Sequence, residues 1–244
     1  NLGVENPALI YWLMSEAGPG GAGLIIDPPD GQLSAEELKR FAQMRFPKRR
    51  SEWLQGRLTA KKLIVLCVPG MESVPFDQIT IANTPEGAPY IQVDGNVLPV
   101  QLSISHREGC AVAAVSTIHG VGLGIDLEWV EDHPQSFYED FFTTEELRIL
   151  GEYAADKRAW AGSLMWSAKE AVLKALGQGL RLDTRTVEIL RIANAAVDSW
   201  GTVELRVTGT ENDIWYGYWR NLGQHVLTLA VRGTKTRPII QQTG

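Results

Sequence analysis

Apolar residues fall in short stretches separated by turn residues, and the longest runs, such as Leu63–Val68 and Cys110–Val115, are far below the roughly 20 residues of a membrane helix. The pattern predicts helices over Leu38–Phe46 and Trp53–Val68, the first broken by Pro47 and the second closed by Pro69-Gly70. Strands are predicted at Gln78–Ile81 and Pro89–Val93, around the Asn83–Ala88 turn, with a further tight turn at Asp94-Gly95-Asn96. Leu102–Ile104, Cys110–Ser116 and Val121–Glu128 also read as strands. Leu164–Leu176 reads as a helix ended by Gly177 and Gly179, followed by strands at Val187–Ile192, Thr202–Val207, Ile214–Arg220 and His225–Val231. The polar tail Gly233–Gly244 is expected to be loosely held.

An internal echo runs through this pattern. Gly23–Asp27 is answered by Gly122–Asp126, each an apolar stretch ending in a carboxylate. Ser34-Ala35-Glu36-Glu37 is answered by Thr143-Thr144-Glu145-Glu146, and each is a capping box that announces a helix start. Thr59-Ala60-Lys61 is answered by Ser167-Ala168-Lys169 in the next helical stretch. Each half then reaches an apolar strand, Cys110–Ser116 or His225–Val231. Three matches in one order at nearly constant offset indicate duplication. The expected fold is α+β, with two similar halves, residues 1–120 and 121–244.

Composition adds the setting. The chain has 244 residues, 44% apolar and 21% charged, which is the profile of a soluble globular protein. Cys67 and Cys110 lie inside apolar runs and form neither a disulfide framework nor a zinc spacing, so a reducing, cytoplasmic location is expected. No basic-then-apolar signal segment is read at the first residues. The net charge of −6 argues against a general nucleic-acid binder. It is unevenly placed, however. From Lys39 to Lys62, nine basic residues face Glu52 alone, so this window carries +8 and the rest of the chain −14. Such a block is either a solvated helix face or a site for phosphates or an acidic macromolecule.

Three constellations could carry chemistry. Asp126 and Glu128 are two apart on a predicted strand and project from one face. An ordinary strand with a wet outer face would look the same, but paired carboxylates also suit a hard cation such as Mg²⁺. Trp166, Glu170 and Lys174 recur every four residues and share one helix face, either as a plain Glu-to-Lys pair or as part of a site. Ser105 and His106 sit at a strand end beside Arg107, where they could donate hydrogen bonds to a phosphate.

Together these segments, GIDLE (Gly124–Glu128), WSAKEAVLK (Trp166–Lys174) and SISH (Ser103–His106), resemble the signature set of the 4′-phosphopantetheinyl transferases. Their order, spacing and duplication resemble the two-domain surfactin-synthetase type, over roughly Glu36 to Leu180. The resemblance implies two α/β halves in a pseudo-twofold arrangement, each a small sheet on helices, with the active site at their interface in a monomeric chain. It implies transfer of the phosphopantetheine arm of coenzyme A (CoA) to a serine of an apo acyl or peptidyl carrier protein, with release of adenosine 3′,5′-bisphosphate. By the same resemblance Asp126, Glu128 and Glu170 would hold Mg²⁺, and Glu170 would accept the serine proton. Lys174 would offset phosphate charge, and Ser105, His106 and Arg40 would contact CoA. No nucleic-acid or membrane partner is implied. The family's usual Gly-Lys-Pro is here Gly87-Ala88-Pro89, and Arg107 is expected to supply part of the missing charge. Ser103 stands where Asn is usual. The Lys48–Arg50 cluster is open to the carrier, to the nucleotide or to neither, and the region Gln178–Leu182 is the alternative carrier contact that the resemblance implies. Two rival readings are a CoA-binding module without transferase activity and a Mg²⁺-dependent nuclease. Retention of all three carboxylates disfavours the first, and the absence of an acid-x-Lys after Asp126 disfavours the second.

Overall fold

A computed structural model describes residues 8–16, 27–118, 120–177, 182–194, 199–210, 213–234 and 236–243. The chain divides into two compact units, one built on Ala8–Gly120 with Ile239–Gly244 and the other on Val121–Pro238. No described helix is long and apolar enough to cross a membrane.

The first unit opens with strand β1 (Leu9–Glu16), followed by helices α1 (Ala35–Ala42) and α2 (Pro47–Cys67). Strands β2 (Ile79–Asn83), β3 (Pro89–Val93) and β4 (Asn96–Val97) form a small antiparallel sheet. Strands β5 (Gln101–Arg107) and β6 (Cys110–Ser116) join β1 in a second sheet. Its fourth strand, β12 (Ile239–Gln242), runs parallel to β1. The expectation of a loose tail therefore fails at Ile239–Gln242, because the backbone groups of this strand are taken up by the edge of β1. Pro47 also acts differently from its reading as a helix breaker. It occupies the first turn of α2, where a missing N–H costs nothing, so the helix starts there and not at Trp53.

The second unit has β7 (Gly122–Trp129), α3 (Gln135–Phe141), α4 (Thr144–Gly151) and α5 (Ala155–Ala175). Strands β8 (Val187–Ala193), β9 (Gly201–Val207), β10 (Trp215–Leu222) and β11 (His225–Arg232) complete one sheet in the order β7-β11-β10-β9-β8. Helix α5 is nine residues longer at its start than the apolar pattern showed, since Ala155–Ser163 mixes charged and small residues. Gly177, in the left-handed region at φ +71°, ends the helical stretch.

Helix α5 lies directly on β7, and the glycines of that strand make this possible. A Cβ on Gly124 would overlap the carbonyl oxygen of Ala171 and stand 2.8 Å from Ala175 N. One on Gly122 would stand 2.8 Å from Ala175 O. We expect Gly124→Ala to destabilise the protein by about 1–3 kcal/mol through this overpacking, measured as a lower denaturant midpoint. An unchanged midpoint would show that the helix can move away freely.

The echo in the sequence corresponds to a repeated polar lock. In the first unit, Ser34 N donates to Glu37 Oε2 (3.0 Å) and Glu37 N to Ser34 Oγ (3.3 Å), completing the capping box of α1. Glu37 also accepts from Ile81 N of β2 (3.1 Å) and from Lys61 Nζ of α2 (2.5 Å). In the second, Thr143 and Glu146 cap α4 in the same way. Glu146 accepts from Ile189 N of β8 (2.8 Å) and, on Oε1 and Oε2, from Lys169 Nζ (2.7 and 2.5 Å). Both lysines are fully buried, and each also donates to the backbone just ahead of or at the start of the strand it meets, Phe76 O or Val187 O. One carboxylate thus ties a helix start, a long helix and a strand together in each unit.

The first leg of the echo is different. Residues 23–26 lie outside the described residues; among the described ones, the strand placed in the first unit as β7 is in the second is β1. The hydroxyl of Thr59 meets that of Ser15 on β1, whereas Ser167, its counterpart, meets Asp126 on β7.

Candidate active site

The site is best built from β7 upward. Its burial pattern shows both faces covered, so Asp126 does not lie on a wet outer edge. It is 3% exposed, beneath α5 on the same face as Gly122 and Gly124. Ser167 Oγ donates to Asp126 Oδ2 (2.8 Å) and pairs with Thr228 Oγ1 of β11 (2.8 Å). Thr228 is the residue directly opposite Asp126 across the β7–β11 ladder. Lys174 Nζ reaches Asp126 Oδ1 (2.7 Å) and Ile125 O (3.1 Å). This chain of hydroxyls and an ammonium orients the carboxylate from both sides.

Glu170 lies one turn before Lys174 on the half-buried edge of α5 that also carries Trp166. Its Oε1 is buried and has no hydrogen-bond partner among the described residues. Burial, then the negative charge of Asp126, raises its pKa to about 7, and Lys174 opposes the shift. Glu128 lies two residues beyond Asp126, half-buried on the same strand face. Among the described residues no three Asp, Glu, His or Cys side chains form a metal-binding cluster. The structure therefore brings Asp126 and Glu170 together with Lys174, without a closed three-carboxylate cage. This donor set still fits Mg²⁺, which commonly takes one or two carboxylates and fills its remaining positions with water and substrate phosphate. The unsatisfied, desolvated oxygen of Glu170 is the feature a cation would relieve.

The other predicted residues lie in the first unit. Ser105 is buried on β5, and His106 is partly exposed, with Nδ1 3.8 Å from Glu52 Oε2. Arg40 is exposed in the last turn of α1. It borders a cavity of about 590 Å³ whose lining includes Trp53, Arg57, Asn83, Gly87 and Tyr90. Ser105, His106 and Arg107 do not line this cavity, and Glu36 and Glu37 do.

Sequence reasoning counted Arg57 only as one of nine cations. It is 8% exposed, with its guanidinium 4.9 Å from the Trp53 ring and one nitrogen donating to Asn83 Oδ1 (2.8 Å). Its Nε has no hydrogen-bond partner among the described residues, and burial lowers its pKa to about 10 against the pull of Glu37. The i, i+4 spacing of Trp53 and Arg57 was the available signal, since it puts an aromatic and a cation on one helix face. The positioning roles of Ser167, Thr228 and Lys169 were also missed, because each depends on a partner far away in sequence.

Comparison with known proteins gives this geometry its context. The family model of the 4′-phosphopantetheinyl transferase superfamily matches residues 122–230. A holo-[acyl-carrier-protein] synthase of Staphylococcus carnosus is 34% identical over 89 residues, covering 36% of this chain and 74% of its own. The chain belongs to the 4′-phosphopantetheinyl transferase superfamily. A longer alignment joins it to the 4′-phosphopantetheinyl transferase gsp of Aneurinibacillus migulanus, 24% identical over 186 residues, 76% of this chain and 73% of that one. A Synechocystis protein assigned to the same transferases is 26% identical over 148 residues, 61% of this chain, and the match spans 58% of that relative's length. The superfamily match encloses Asp126, Glu128, Glu170 and Lys174, whereas Arg40, Arg57, Ser105 and His106 lie outside it.

Proposed function

We propose that this superfamily member transfers the 4′-phosphopantetheine arm of CoA to a serine of an apo acyl or peptidyl carrier protein, with Mg²⁺ as cofactor. The observation that carries this reading is the buried, unpartnered oxygen of Glu170 beside Asp126 and Lys174, inside the family-matched segment.

The serine Oγ attacks the pyrophosphate phosphorus that bears the pantetheine arm. A new P–O bond forms, the bond to the adenosine 3′,5′-bisphosphate leaves with its electron pair, and the serine proton goes to a base. Catalysis of such a step is mostly positioning and charge neutralisation. Glu170 is assigned as the base, directly or through a water, because its carboxylate keeps a buried oxygen with no hydrogen-bond partner among the described residues, free to accept a proton. Lys174 uses two of its three N–H groups on Ile125 and Asp126 among the described residues, and the third is assigned to a phosphate oxygen. When bound, Mg²⁺ would neutralise pyrophosphate charge, with Asp126, Glu128 and Glu170 as the residues that would hold it.

On this reading Arg40, Ser105 and His106 receive the nucleotide end of CoA. Arg57 joins them as the cation that makes up for Ala88, in place of Arg107, since it faces the cavity bordered by Gly87. Arg57→Gln is expected to weaken CoA binding about tenfold, and Arg107→Ala to leave it within about twofold. The opposite order in calorimetric titration would return the role to Arg107. We read the chain as a cytoplasmic monomer.

The direct test is incubation of the full chain with CoA, Mg²⁺ and several apo carrier proteins, with intact mass recorded. The expected result is a gain of one phosphopantetheine on at least one carrier. CoA binding without any mass gain would overturn the transferase reading in favour of a binding module.

A further inference from the structure

The i, i+4 spacing of Glu170 and Lys174 suggests that they pair with each other, yet the ammonium goes elsewhere. Lys174 Nζ donates to Asp126 Oδ1 (2.7 Å) and to Ile125 O (3.1 Å). Glu170 Oε1, one turn earlier on α5, stays buried without a hydrogen-bond partner among the described residues. The other oxygen of Asp126, Oδ2, accepts from Ser167 Oγ (2.8 Å), which is held in turn by Thr228 Oγ1 (2.8 Å). Asp126 therefore has a hydroxyl on one oxygen and a full positive charge on the other. Lys174 is the more exposed member of this pair.

A divalent cation on Asp126 would set a second positive centre beside that ammonium, and like charges so placed repel strongly in a partly desolvated site. The protein alone offers little to offset this. Among the described residues no three Asp, Glu, His or Cys side chains form a closed donor cluster, so a cation depends on phosphate oxygens to complete its shell. Pyrophosphate supplies those oxygens, and its negative charge lets ammonium and cation share one carboxylate. We propose that Lys174 is the resident counter-ion of Asp126 and holds off divalent metal until the pyrophosphate of CoA is in place. The inference rests on the Mg²⁺-dependent transferase reading and adds to it the order in which the site fills. Metal and CoA bind as a coupled pair, and Lys174 sets the strength of the coupling. By reciprocity, the metal tightens CoA by the same factor as CoA tightens the metal.

The full chain and its Lys174→Met and Lys174→Arg variants are titrated with Mn²⁺, a paramagnetic substitute for Mg²⁺ whose free form is counted by electron spin resonance. Titrations are run without CoA and with CoA saturating each protein, against a protein-free CoA control. Without CoA, Lys174→Met should bind Mn²⁺ about tenfold or more tightly than the wild type, and Lys174→Arg, which keeps the charge, within about threefold of it. With CoA, the wild type and Lys174→Met should bind Mn²⁺ within about threefold of each other. Lys174→Met should also unfold at a lower temperature in metal-free buffer, because Asp126 loses its cation. Mn²⁺ should raise the midpoint of this variant more than that of the wild type. Equal Mn²⁺ affinities of the wild type and Lys174→Met without CoA would overturn the proposal, as would no Mn²⁺ binding to Lys174→Met at all. So would a gain that persists undiminished with CoA, or one that Lys174→Arg reproduces. Transfer by the wild type, read as carrier mass, is scored separately. Transfer with unchanged metal affinities removes the counter-ion role alone, whereas tighter Mn²⁺ binding by Lys174→Met without any transfer removes the transferase reading alone.

Discussion

Glu170→Gln should slow phosphopantetheine transfer by about a thousandfold and leave the fold as stable as before or slightly more so. The two halves of this expectation have one origin. Glu170 sits in a desolvated position beside Asp126 with one oxygen unsatisfied, so its charged form is held at a cost to the folded state. An amide of the same shape removes that charge and its repulsion of Asp126, but can neither accept the serine proton nor offer a carboxylate to a cation. A residue kept for packing would behave in the opposite way, with stability lost and chemistry spared. Single-turnover transfer and thermal unfolding on the same preparation separate the cases. Near-normal turnover would remove Glu170 from the site. Asp126→Ala is the less clean experiment, because it strips Ser167 and Lys174 of their shared partner and mixes structural loss with catalytic loss.

The second large effect concerns stability. Lys169→Met should destabilise the protein by about 3–5 kcal/mol, the usual cost of leaving one member of a buried ion pair alone. Lys169 and Glu146 are both fully buried, and burial holds the lysine pKa below its ordinary value against the pull of its partner. Removing the ammonium leaves a buried carboxylate with only the backbone N–H groups of Thr143 and Ile189 as partners among the described residues. Combining Lys169→Met with Glu146→Leu should recover much of the loss, since an apolar pair of similar volume avoids the desolvation cost. Lys61→Met should reproduce the deficit in the first unit, where Glu37 and Lys61 form the same lock. Denaturant midpoints of the four proteins check this. A loss below about 1 kcal/mol for Lys169→Met would mean that water or a rearranged neighbour satisfies Glu146.

The duplicated lock also shows how the two units diverged. Aligning Lys61 with Lys169 places Lys62 opposite Glu170 and Leu66 opposite Lys174, while the Thr59 and Ser167 contacts place Ser15 opposite Asp126. The first unit thus shares the scaffold but has no residue like Asp126, Glu170 or Lys174 at the equivalent positions. Ser15, Lys62 and Leu66 hold no equivalent chemistry.

Much of this could be read from the chain before folding. The capping boxes at Ser34 and Thr143, the strand at Pro89–Val93 and the helix around Glu170 are local signals, set by hydrogen bonds and side-chain periodicity within a few residues. The motifs around Asp126 and Glu170 likewise named the residues of the candidate site. What sequence could not show depends on partners far apart along the chain. The glycines of β7 are required because α5 approaches to backbone distance, not because the strand turns there. Asp126 is buried and held by Ser167 and Lys174, where strand alternation suggested a wet face. Lys169, inside the most recognisable motif, is a structural lock, while Arg57, one of nine cations in a basic block, is the buried one facing a cavity. Residue type and spacing determined which groups could act. Burial and tertiary contact decided which of them carry an unsatisfied charge, because desolvation acts only once the chain has closed around them.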